Sequence, residues 1–250
     1  MSDSALILEN VVVAFGALKA VNNVSMNIAN GERRAIIGPN GAGKTTLFNA
    51  VTGLFPPTSG KVVFEGRDMS RTPVHKRARL GMSRTFQITN LFPSLTVREN
   101  MVLALLGNHP RKYVMFGGLK VSEAEQEQIE SALTMSRLLA RGDVAVQELS
   151  YGEQRQLEMA MALVTQPRML LLDEPAAGLS PAERVIVSDI ISSLPRDLTI
   201  VLIEHDMELV LKLVDYVTCL NNGELLAAGT PEEISANEHV RDVYLGKARE

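Results

Sequence analysis

The stretch GPNGAGKTT, residues 38–46, constrains the fold of this chain more than any other part of its sequence. It follows a short apolar run, RRAIIG, and leads into KTTLFNAVTGL, whose apolar residues have helical spacing. The pattern G-x-x-x-x-G-K-[ST] between a strand and a helix is typical of a loop that wraps around phosphate groups. We therefore expect a strand–loop–helix unit of an α/β fold, with an anion site at the amino terminus of its helix.

The residue types within this loop explain how it would hold a nucleotide. Gly41 and Gly43 allow backbone N–H groups to point inward with no side chain in the way. Lys44 is placed to reach the β- and γ-phosphates, and the Thr45 hydroxyl is suited to Mg²⁺. The alternative, a glycine-rich turn before a helix, is disfavoured by the flanking patterns. The predicted nucleotide-binding residues of the loop are Gly38, Pro39, Asn40, Gly41, Ala42, Gly43, Lys44, Thr45 and Thr46.

Two adjacent carboxylates form a second candidate group. The run MLLLDEP places Asp173 and Glu174 at the carboxyl end of a strand that is apolar on both faces, where ligands bind in an open α/β sheet. Asp173 suits Mg²⁺ binding through water, and Glu174 suits the positioning of an attacking water as a catalytic base. The alternative is a pair of acids that cap the next helix. A similar run, LTIVLIEHD, follows a helical stretch, which predicts a strand–helix–strand unit.

A second candidate anion site lies in ELSYGEQRQLEMAMAL, residues 148–163. Ser150 and Glu153 form a capping box, which by itself predicts only a well-capped helix. Ser150, the N–H groups near Gly152 and the helix dipole also suit an anion. Because each anion site opens its own helix, one chain is not expected to fold both onto one phosphate. Two chains arranged head to tail can do so, with the second site of one chain closing on the ATP of the other.

Composition and charge limit the remaining possibilities. The net charge of −4 argues against a protein that gathers nucleic acid through its overall field, and the single cysteine excludes an internal disulfide. The start MSDSALILEN lacks the basic residues of a signal peptide, and no apolar run reaches the about 20 residues that a membrane helix needs. Any membrane role is therefore expected to come through a partner. We expect one domain, residues 1–250, with a helical lobe at about 91–165 inserted in the strand-rich core.

Taken in order, the motifs GPNGAGKTT, LSYGEQ, LLLDEP and LIEHD resemble those of the ATP-binding-cassette (ABC) ATPases. The LS-x-G element distinguishes this family from other phosphate-loop enzymes, and the resemblance spans essentially the whole chain. It implies an α/β fold with a RecA-like P-loop NTPase core, an antiparallel β subdomain and a helical subdomain. It also implies a dimer that holds two ATP molecules between its subunits, each between the phosphate loop of one subunit and the Ser150 and Gly152 turn of the other.

The resemblance assigns roles to three residues whose types alone would not reveal them. Phe15, in AFGALKAV, matches the aromatic residue that stacks on adenine. Gln87, in SRTFQ, matches the glutamine that contacts Mg²⁺ and the attacking water and senses the membrane partner. His205, in IEHD, matches the histidine that contacts the γ-phosphate. Without the resemblance, these residues read as a core phenylalanine, a surface glutamine and a structural histidine.

Three positions depart from the commonest family pattern. Tyr151 and Glu153 replace a Gly and the Gln of LSGGQ, and Ser180 stands where many members have an Asp at the dimer interface. Tyr151 is tolerated where its φ is negative and its ring points outward. Glu153 is unfavourable beside a phosphate unless its carboxylate turns back to the helix cap, which we predict. Whether Ser180 makes the interface contact that the Asp makes in those members is not decided by the sequence.

The segments SRTFQITNLFPSLTVREN and GTPEEI…VRDVYLG look like those of the ATPases of branched-chain amino acid importers, in particular the longer of two paired ATPases. The implied partners are a second ABC ATPase subunit, identical or different, and integral membrane permease subunits. An extracytoplasmic solute-binding protein is implied indirectly, and no nucleic acid. The resemblance places the chain at the cytoplasmic face of the inner membrane as a peripheral subunit.

Other functions stay open at this point. Importers of urea or short amides and the lipopolysaccharide-export ATPase share much of the pattern. A soluble ABC ATPase of translation or DNA repair is disfavoured by the single cassette and the lack of sustained heptads. A P-loop kinase or switch GTPase would explain the phosphate loop but neither LSYGE nor IEHD.

Overall fold

The computed structural model describes residues 4–85, 91–107 and 121–245. The strands of this part of the chain are β1 (Ser4–Phe15), β2 (Leu18–Ala29), β3 (Arg33–Ile37), β4 (Ser59–Phe64), β5 (Arg67–Asp68), β6 (Met82–Arg84), β7 (Met169–Asp173), β8 (Thr199–Ile203), β9 (Tyr216–Asn221) and β10 (Glu224–Gly229). The helices are α1 (Lys44–Thr52), α2 (Val74–Arg79), α3 (Val97–Gly107), α4 (Glu123–Met135), α5 (Tyr151–Leu163), α6 (Pro181–Ser193), α7 (Met207–Leu213), α8 (Pro231–Ala236) and α9 (Glu238–Leu245). Over these three ranges, no helix has both the length and the apolar character to cross a membrane.

A six-stranded sheet, in the order β10-β9-β3-β8-β7-β6, forms the centre of the molecule. All its neighbouring pairs are parallel except the hairpin of β9 and β10. Every residue of β3, β7 and β8 is buried, because α1 and a second sheet cover one face of this sheet and helices cover the other. The strands predicted at RRAIIG, MLLLDE and LTIVLI are thus confirmed, as is the strand–helix–strand unit of β7, α6 and β8.

A second sheet, in the order β2-β1-β4-β5, is antiparallel throughout. Exposed and buried residues alternate along much of β2, as expected of a sheet with one face on the core. The buried face packs on α1, where Leu47 and Phe48 are fully buried, and this cluster continues to Leu171 and Ile203 of the central sheet. The antiparallel sheet and the central sheet together confirm the predicted α/β class with an antiparallel β part.

Helices α3, α4 and α5 pack on one another and on the other face of the central sheet. Their contacts are made by the buried side chains Met101, Leu133 and Leu157, which belong to the same apolar cluster as Leu170 and Leu172 of β7. All three helices fall inside residues 91–165. The exact limits of a helical lobe, and the single domain over residues 1–250, stay predictions.

Helices α4, α5, α6 and α8 are among those that begin with reciprocal hydrogen bonds between the N-cap residue and a glutamate in the first turn. Such capping stabilises a helix by about 1 kcal/mol, because it satisfies N–H groups that the helix itself leaves unpaired. The pairs, for α4, α5, α6 and α8, are Ser122 with Glu125, Ser150 with Glu153, Ser180 with Glu183, and Thr230 with Glu233. The boxes of α4, α5 and α8 confirm capping boxes predicted from the sequence.

The thiol of Cys219 lies in β9, beside the strand that leads into the phosphate loop, and is fully buried. Burial raises its pKa to about 11. We predict that Ellman's reagent at pH 8 modifies native Cys219 at least about a hundredfold more slowly than the urea-unfolded chain, because the reactive thiolate is both scarce and inaccessible in the fold. Labelling of the native protein at the unfolded rate would contradict this packing.

Candidate active site

The phosphate loop connects β3 to α1 and depends on glycines with left-handed backbones. Gly38, Gly41 and Gly43 have φ of 149°, 80° and 95°. A Cβ on Gly38 would lie 2.2 Å from the carbonyl oxygen of Leu220, and one on Gly43 would lie 2.3 Å from that of Ala20. Both glycines are therefore required by the close approach of β9 and β2 as well as by their own dihedral angles.

Lys44 begins α1 and lies across the loop. Its side chain is largely buried, and its Nζ donates hydrogen bonds to the carbonyl oxygens of Gly38 at 2.7 Å and Pro39 at 3.0 Å. Burial lowers the pKa of Lys44, while the carboxylates of Glu174 and Asp173 act against that shift. The loop thus holds a buried cation at the amino end of a helix, which is the arrangement that a polyphosphate neutralises.

The Asp173 carboxylate has one oxygen held and one oxygen unpaired. Its side chain is 1% exposed, Oδ2 accepts a hydrogen bond from Nη2 of Arg84 at 2.7 Å, and the buried Oδ1 has no partner in the described part of the chain. Thr45, in the first turn of α1, is exposed. No group of three or more His, Cys, Asp or Glu residues suited to a metal occurs among the described residues. One carboxylate oxygen and one hydroxyl fit Mg²⁺, which takes its other ligands from phosphates and water.

Arg84 sets the orientation of Asp173. Its guanidinium also donates from Nη1 to Oδ1 of Asn49 at 2.6 Å and to the Thr52 hydroxyl at 3.2 Å. It therefore joins the helix of the phosphate loop to the strand of the carboxylates. The sequence pattern does not identify Arg84; the available signal was a charged side chain in a short strand just before Gln87.

Glu174 follows directly after β7 in a tight turn. Its φ is 48°, which is uncommon for a residue other than glycine, and its N–H donates to the carbonyl oxygen of Ile203 at 3.0 Å. Asp173 and Ile203 are register partners, so the ends of β7 and β8 lie side by side. Glu174 and the exposed His205 therefore leave the sheet at the same edge as the phosphate loop.

Glu204 connects the ends of β7 and β8 and was not identified from the sequence. Its side chain is 1% exposed and accepts hydrogen bonds from the N–H groups of Ala176 at 3.1 Å and His205 at 3.2 Å. Burial raises the pKa of this carboxyl group, and the two N–H donors act against the rise. Glu204 thus positions the turn that carries Glu174 and the backbone of His205; an acid directly after a buried strand was the signal for it.

Phe15 ends β1 and is not a core residue. Its ring is 54% exposed and meets Phe55 edge to face, with ring centroids 5.7 Å apart. An exposed aromatic ring is available to a nucleotide base, so the stacking role stays a prediction.

Ser150 is the N-cap of α5, and Glu153 completes the cap. The Ser150 Oγ accepts the Glu153 N–H at 3.2 Å, and the Glu153 carboxylate accepts the Ser150 N–H at 2.8 Å and pairs with Arg141 at 3.0 Å. The prediction that Glu153 turns back to the cap is confirmed. The Gly152 N–H donates to Oε1 of Glu183 at 3.1 Å, a contact that the sequence did not reveal.

Tyr151 occupies the first position of α5 without strain. Its φ is not among the positive ones, and its ring is 43% exposed. The ring also covers Gly178, where an added Cβ would lie 3.2 Å from the Tyr151 Cε1, and its hydroxyl accepts from Nη2 of Arg155 at 2.9 Å. The ring is therefore partly exposed, as predicted, and also packs on the loop that follows the carboxylates.

The predicted residues thus fall into two groups. The phosphate loop, the two carboxylates and His205 meet at one edge of the central sheet. Ser150 and Gly152 form the second group, at the start of α5 and beside Glu183. Gln87 lies outside the described residues, so its assignments as catalytic and as Mg²⁺-binding stay predictions.

Comparison with known proteins gives consistent matches. The family model described as "ABC transporter" matches residues 21–177, and the model "Branched-chain amino acid ATP-binding cassette transporter" matches residues 224–250. The high-affinity branched-chain amino acid transport ATP-binding protein LivG of Salmonella typhimurium is 42% identical over 99% of this chain and 100% of its own length.

Solved structures with the same fold include the ADP conformation of an ATP-binding cassette of an ABC transporter. It is 30% identical, with a TM-score of 0.87, over 98% of this chain and 99% of that chain. A dimeric, post-hydrolysis ATP-binding cassette bound to ADP and phosphate is 25% identical, with a TM-score of 0.76, over 90% of this chain and 98% of that chain.

The ion pair of Arg84 and Asp173 gives a stability prediction. Arg84→Ala leaves a buried carboxylate without its cation and is expected to lower the free energy of unfolding by about 3–5 kcal/mol, measured by urea denaturation. The control is Arg137→Ala, because Arg137 pairs with Asp189 while both side chains are about half exposed, and its cost is expected to stay below about 1 kcal/mol.

A double variant separates the charge from the packing of Arg84. Arg84→Ala combined with Asp173→Asn removes both charges and is expected to recover part of the lost stability, since no uncompensated charge is then buried. Equal stability losses for Arg84→Ala and Arg137→Ala would show that the buried pair does not support the strand end.

Proposed function

The chain belongs to the ABC transporter family of ATPases, and from that premise we propose that it drives the import of branched-chain amino acids by hydrolysing ATP. The observation that carries this proposal is the meeting of the phosphate loop, Asp173, Glu174 and His205 at one edge of the sheet, with the Ser150 and Gly152 turn on a separate helix. The solute is supported by the match of residues 224–250 and by the full-length likeness to LivG.

ATP binding is assigned to the loop and to one aromatic ring. The N–H groups of residues 40–46 surround the phosphates, with the amino end of α1 pointing at them. Lys44 exchanges its carbonyl contacts for the oxygens of the β- and γ-phosphates. The exposed ring of Phe15 stacks on the adenine.

The residues that would hold Mg²⁺ are Asp173 through its unpaired Oδ1, Thr45 through its hydroxyl, and Gln87. The ion, when bound, neutralises charge on the phosphates. Arg84 holds the other oxygen of Asp173 and so leaves a single oxygen of fixed direction for this purpose.

The catalytic roles follow from the positions of the side chains at the sheet edge. Glu174 accepts a proton from, or orients, the attacking water, and its turn is fixed by the carbonyl oxygen of Ile203. His205 contacts the γ-phosphate with its exposed ring, while Glu204 holds its backbone in place. These groups are positioned before the nucleotide binds, which lowers the reorganisation that hydrolysis requires.

A single chain contributes only part of each ATP site. The Ser150 hydroxyl and the N–H groups near Gly152 lie at the start of a helix and suit an anion, and in this proposal they close on the γ-phosphate held by a second ABC ATPase subunit. A related cassette has been solved as a dimer bound to ADP and phosphate, which supports this arrangement. ATP then favours the closed dimer because it contacts both subunits only in that state.

The permease subunits are proposed to dock beside residues 85 and 91, on either side of the segment that holds Gln87. A cavity of about 320 Å³ opens there, and its apolar walls suit a short helix of a membrane partner. The apolar side chains of Leu54, Val74, Leu91 and Met161 line this cavity. Arg84 and Thr52 also line this cavity, so it adjoins the network that holds Asp173.

This assembly places the chain at the cytoplasmic face of the inner membrane as a peripheral subunit. An extracytoplasmic solute-binding protein would deliver the solute to the permeases and would not touch this chain. Importers of urea or amides and lipopolysaccharide exporters are the alternative assemblies, and a soluble ABC ATPase without permeases is a further one.

Transport assays test the proposed function directly. Cells that lack the chain are expected to lose high-affinity uptake of labelled leucine, isoleucine and valine and to keep the uptake of labelled urea. The tagged chain is expected to co-purify with membrane permeases. Unchanged uptake of all three amino acids would exclude the proposed solute, and the absence of any permease from the purified complex would favour a soluble ATPase.

The catalytic role of Glu174 is tested by Glu174→Gln. The amide cannot accept the proton, so the variant is expected to bind ATP, to lose at least about a hundredfold in steady-state hydrolysis, and to accumulate dimers. Phosphate release and sedimentation velocity measure these two effects. Normal turnover in this variant would remove Glu174 from the catalytic role.

A further inference from the structure

The glutamate of the α6 cap differs from that of the α5 cap in reaching a second helix. Oε2 of Glu183 accepts the Ser180 N–H at 3.0 Å and the Ser180 hydroxyl at 2.7 Å, as a capping box requires. Its other oxygen, Oε1, accepts the N–H of Gly152 at 3.1 Å. The approach is so close that a Cβ on Gly152 would lie 2.4 Å from Oε1. A single carboxylate therefore ties the start of α6 to the start of α5.

Without Glu183, the N–H of Gly152 would be an unpaired donor that suits an anion. N–H groups in the first turn of a helix have no intrahelical partner, and the helix dipole favours negative charge there. The Ser180 hydroxyl, the Ser180 N–H and the Gly152 N–H lower the pKa of Glu183, so this group is ionised at neutral pH. The N–H of Gly152 is thus already bound to a full negative charge within its own chain.

We propose that Glu183 is a latch: its carboxylate occupies the Gly152 N–H in the separated subunit and has to leave before the triphosphate held by the second subunit binds there. This inference rests on the proposed function, in which Gly152 faces the γ-phosphate across a dimer. The Glu183 carboxylate and a phosphate compete for this one N–H donor, and the charge of Glu183 beside a phosphate opposes closure. Glu183 acts through Gly152 and is therefore a positioning residue.

A second contact shows what the latch would move. The Tyr151 ring packs on Gly178, in the loop between Glu174 and Ser180. The turn at residues 149–153 is therefore joined both to the loop that follows the catalytic carboxylate and to the helix after it. Release of Glu183 by the partner's ATP would loosen the loop that carries this chain's own Glu174, which links the two ATP sites of the dimer.

The proposed latch is tested by removing the charge of Glu183 while its side chain keeps its shape. Glu183→Gln retains an acceptor for the cap but loses the charge. In a Glu174→Gln background, it is expected to lower the dissociation constant of the ATP-bound dimer about fivefold, because a neutral acceptor holds the Gly152 N–H more weakly and no longer repels phosphate. Sedimentation velocity across a range of ATP concentrations measures this constant.

Glu233→Gln is the matched control, since Glu233 caps α8 with the same geometry and lies in another helix. It is expected to leave the dimer constant unchanged. An unchanged or weaker dimer for Glu183→Gln would overturn the latch. Failure of the Glu174→Gln parent itself to dimerise with ATP would count against a sandwich of two identical chains and not against the latch.

Amide hydrogen exchange tests the contact in the monomer, without any dimer. Peptides that begin before residue 149 report on the Gly152 amide, which is expected to be protected in the native chain and to exchange at least about tenfold faster in Glu183→Ala. Glu233→Ala controls for the loss of a capping box and is expected to leave that amide protected. Equal exchange of the Gly152 amide in the native chain and in Glu183→Ala would overturn the latch.

Discussion

The parallel pairing of three fully buried strands is the constraint on which the rest of the structure depends. β3, β8 and β7 lie side by side, with Ile36 opposite Ile203 and Ile203 beside Asp173. Because their carboxyl ends form one edge, whatever follows each strand in the sequence meets there: the phosphate loop, the histidine segment and the carboxylates. All residues of these three strands are buried, so both faces of the sheet must be covered, and α1 lies on one face and α5 on the other.

Local patterns were enough to predict the main elements and the places of the phosphate loop and of the two carboxylates in the fold. The strand before Gly38, the capped helix at Ser150 and the strand that ends at Asp173 each have their signals within a few residues. The three side chains that position the site were not predicted, because their partners are distant in sequence: Arg84 and Asp173 are 89 residues apart, Ala176 and Glu204 28, and Gly152 and Glu183 31. Such partners are chosen by tertiary packing, which no local pattern encodes.

Three buried charges near the predicted phosphate position have partners in the part of the chain that the structure describes. Arg84 neutralises Asp173, backbone N–H groups satisfy Glu204, and carbonyl oxygens hold Lys44. Such groups are costly to desolvate and are tolerated when each has a partner. The Oδ1 of Asp173 is the exception at this edge, which is why it stands out as a ligand position in the part of the chain that the structure describes.

The packing around the glycines of the phosphate loop limits which residues of this sequence can be substituted during evolution. Gly38 and Gly43 are confined by the backbone oxygens of Leu220 and Ala20, not by their side chains. Natural variation can therefore replace residues 220 and 20 with other types that keep the strands in place. The two glycines have no such freedom, since a side chain at Gly38 would clash with the backbone of β9 and one at Gly43 with the backbone of β2. Among homologues, we expect invariance on one side of each contact and substitution on the other.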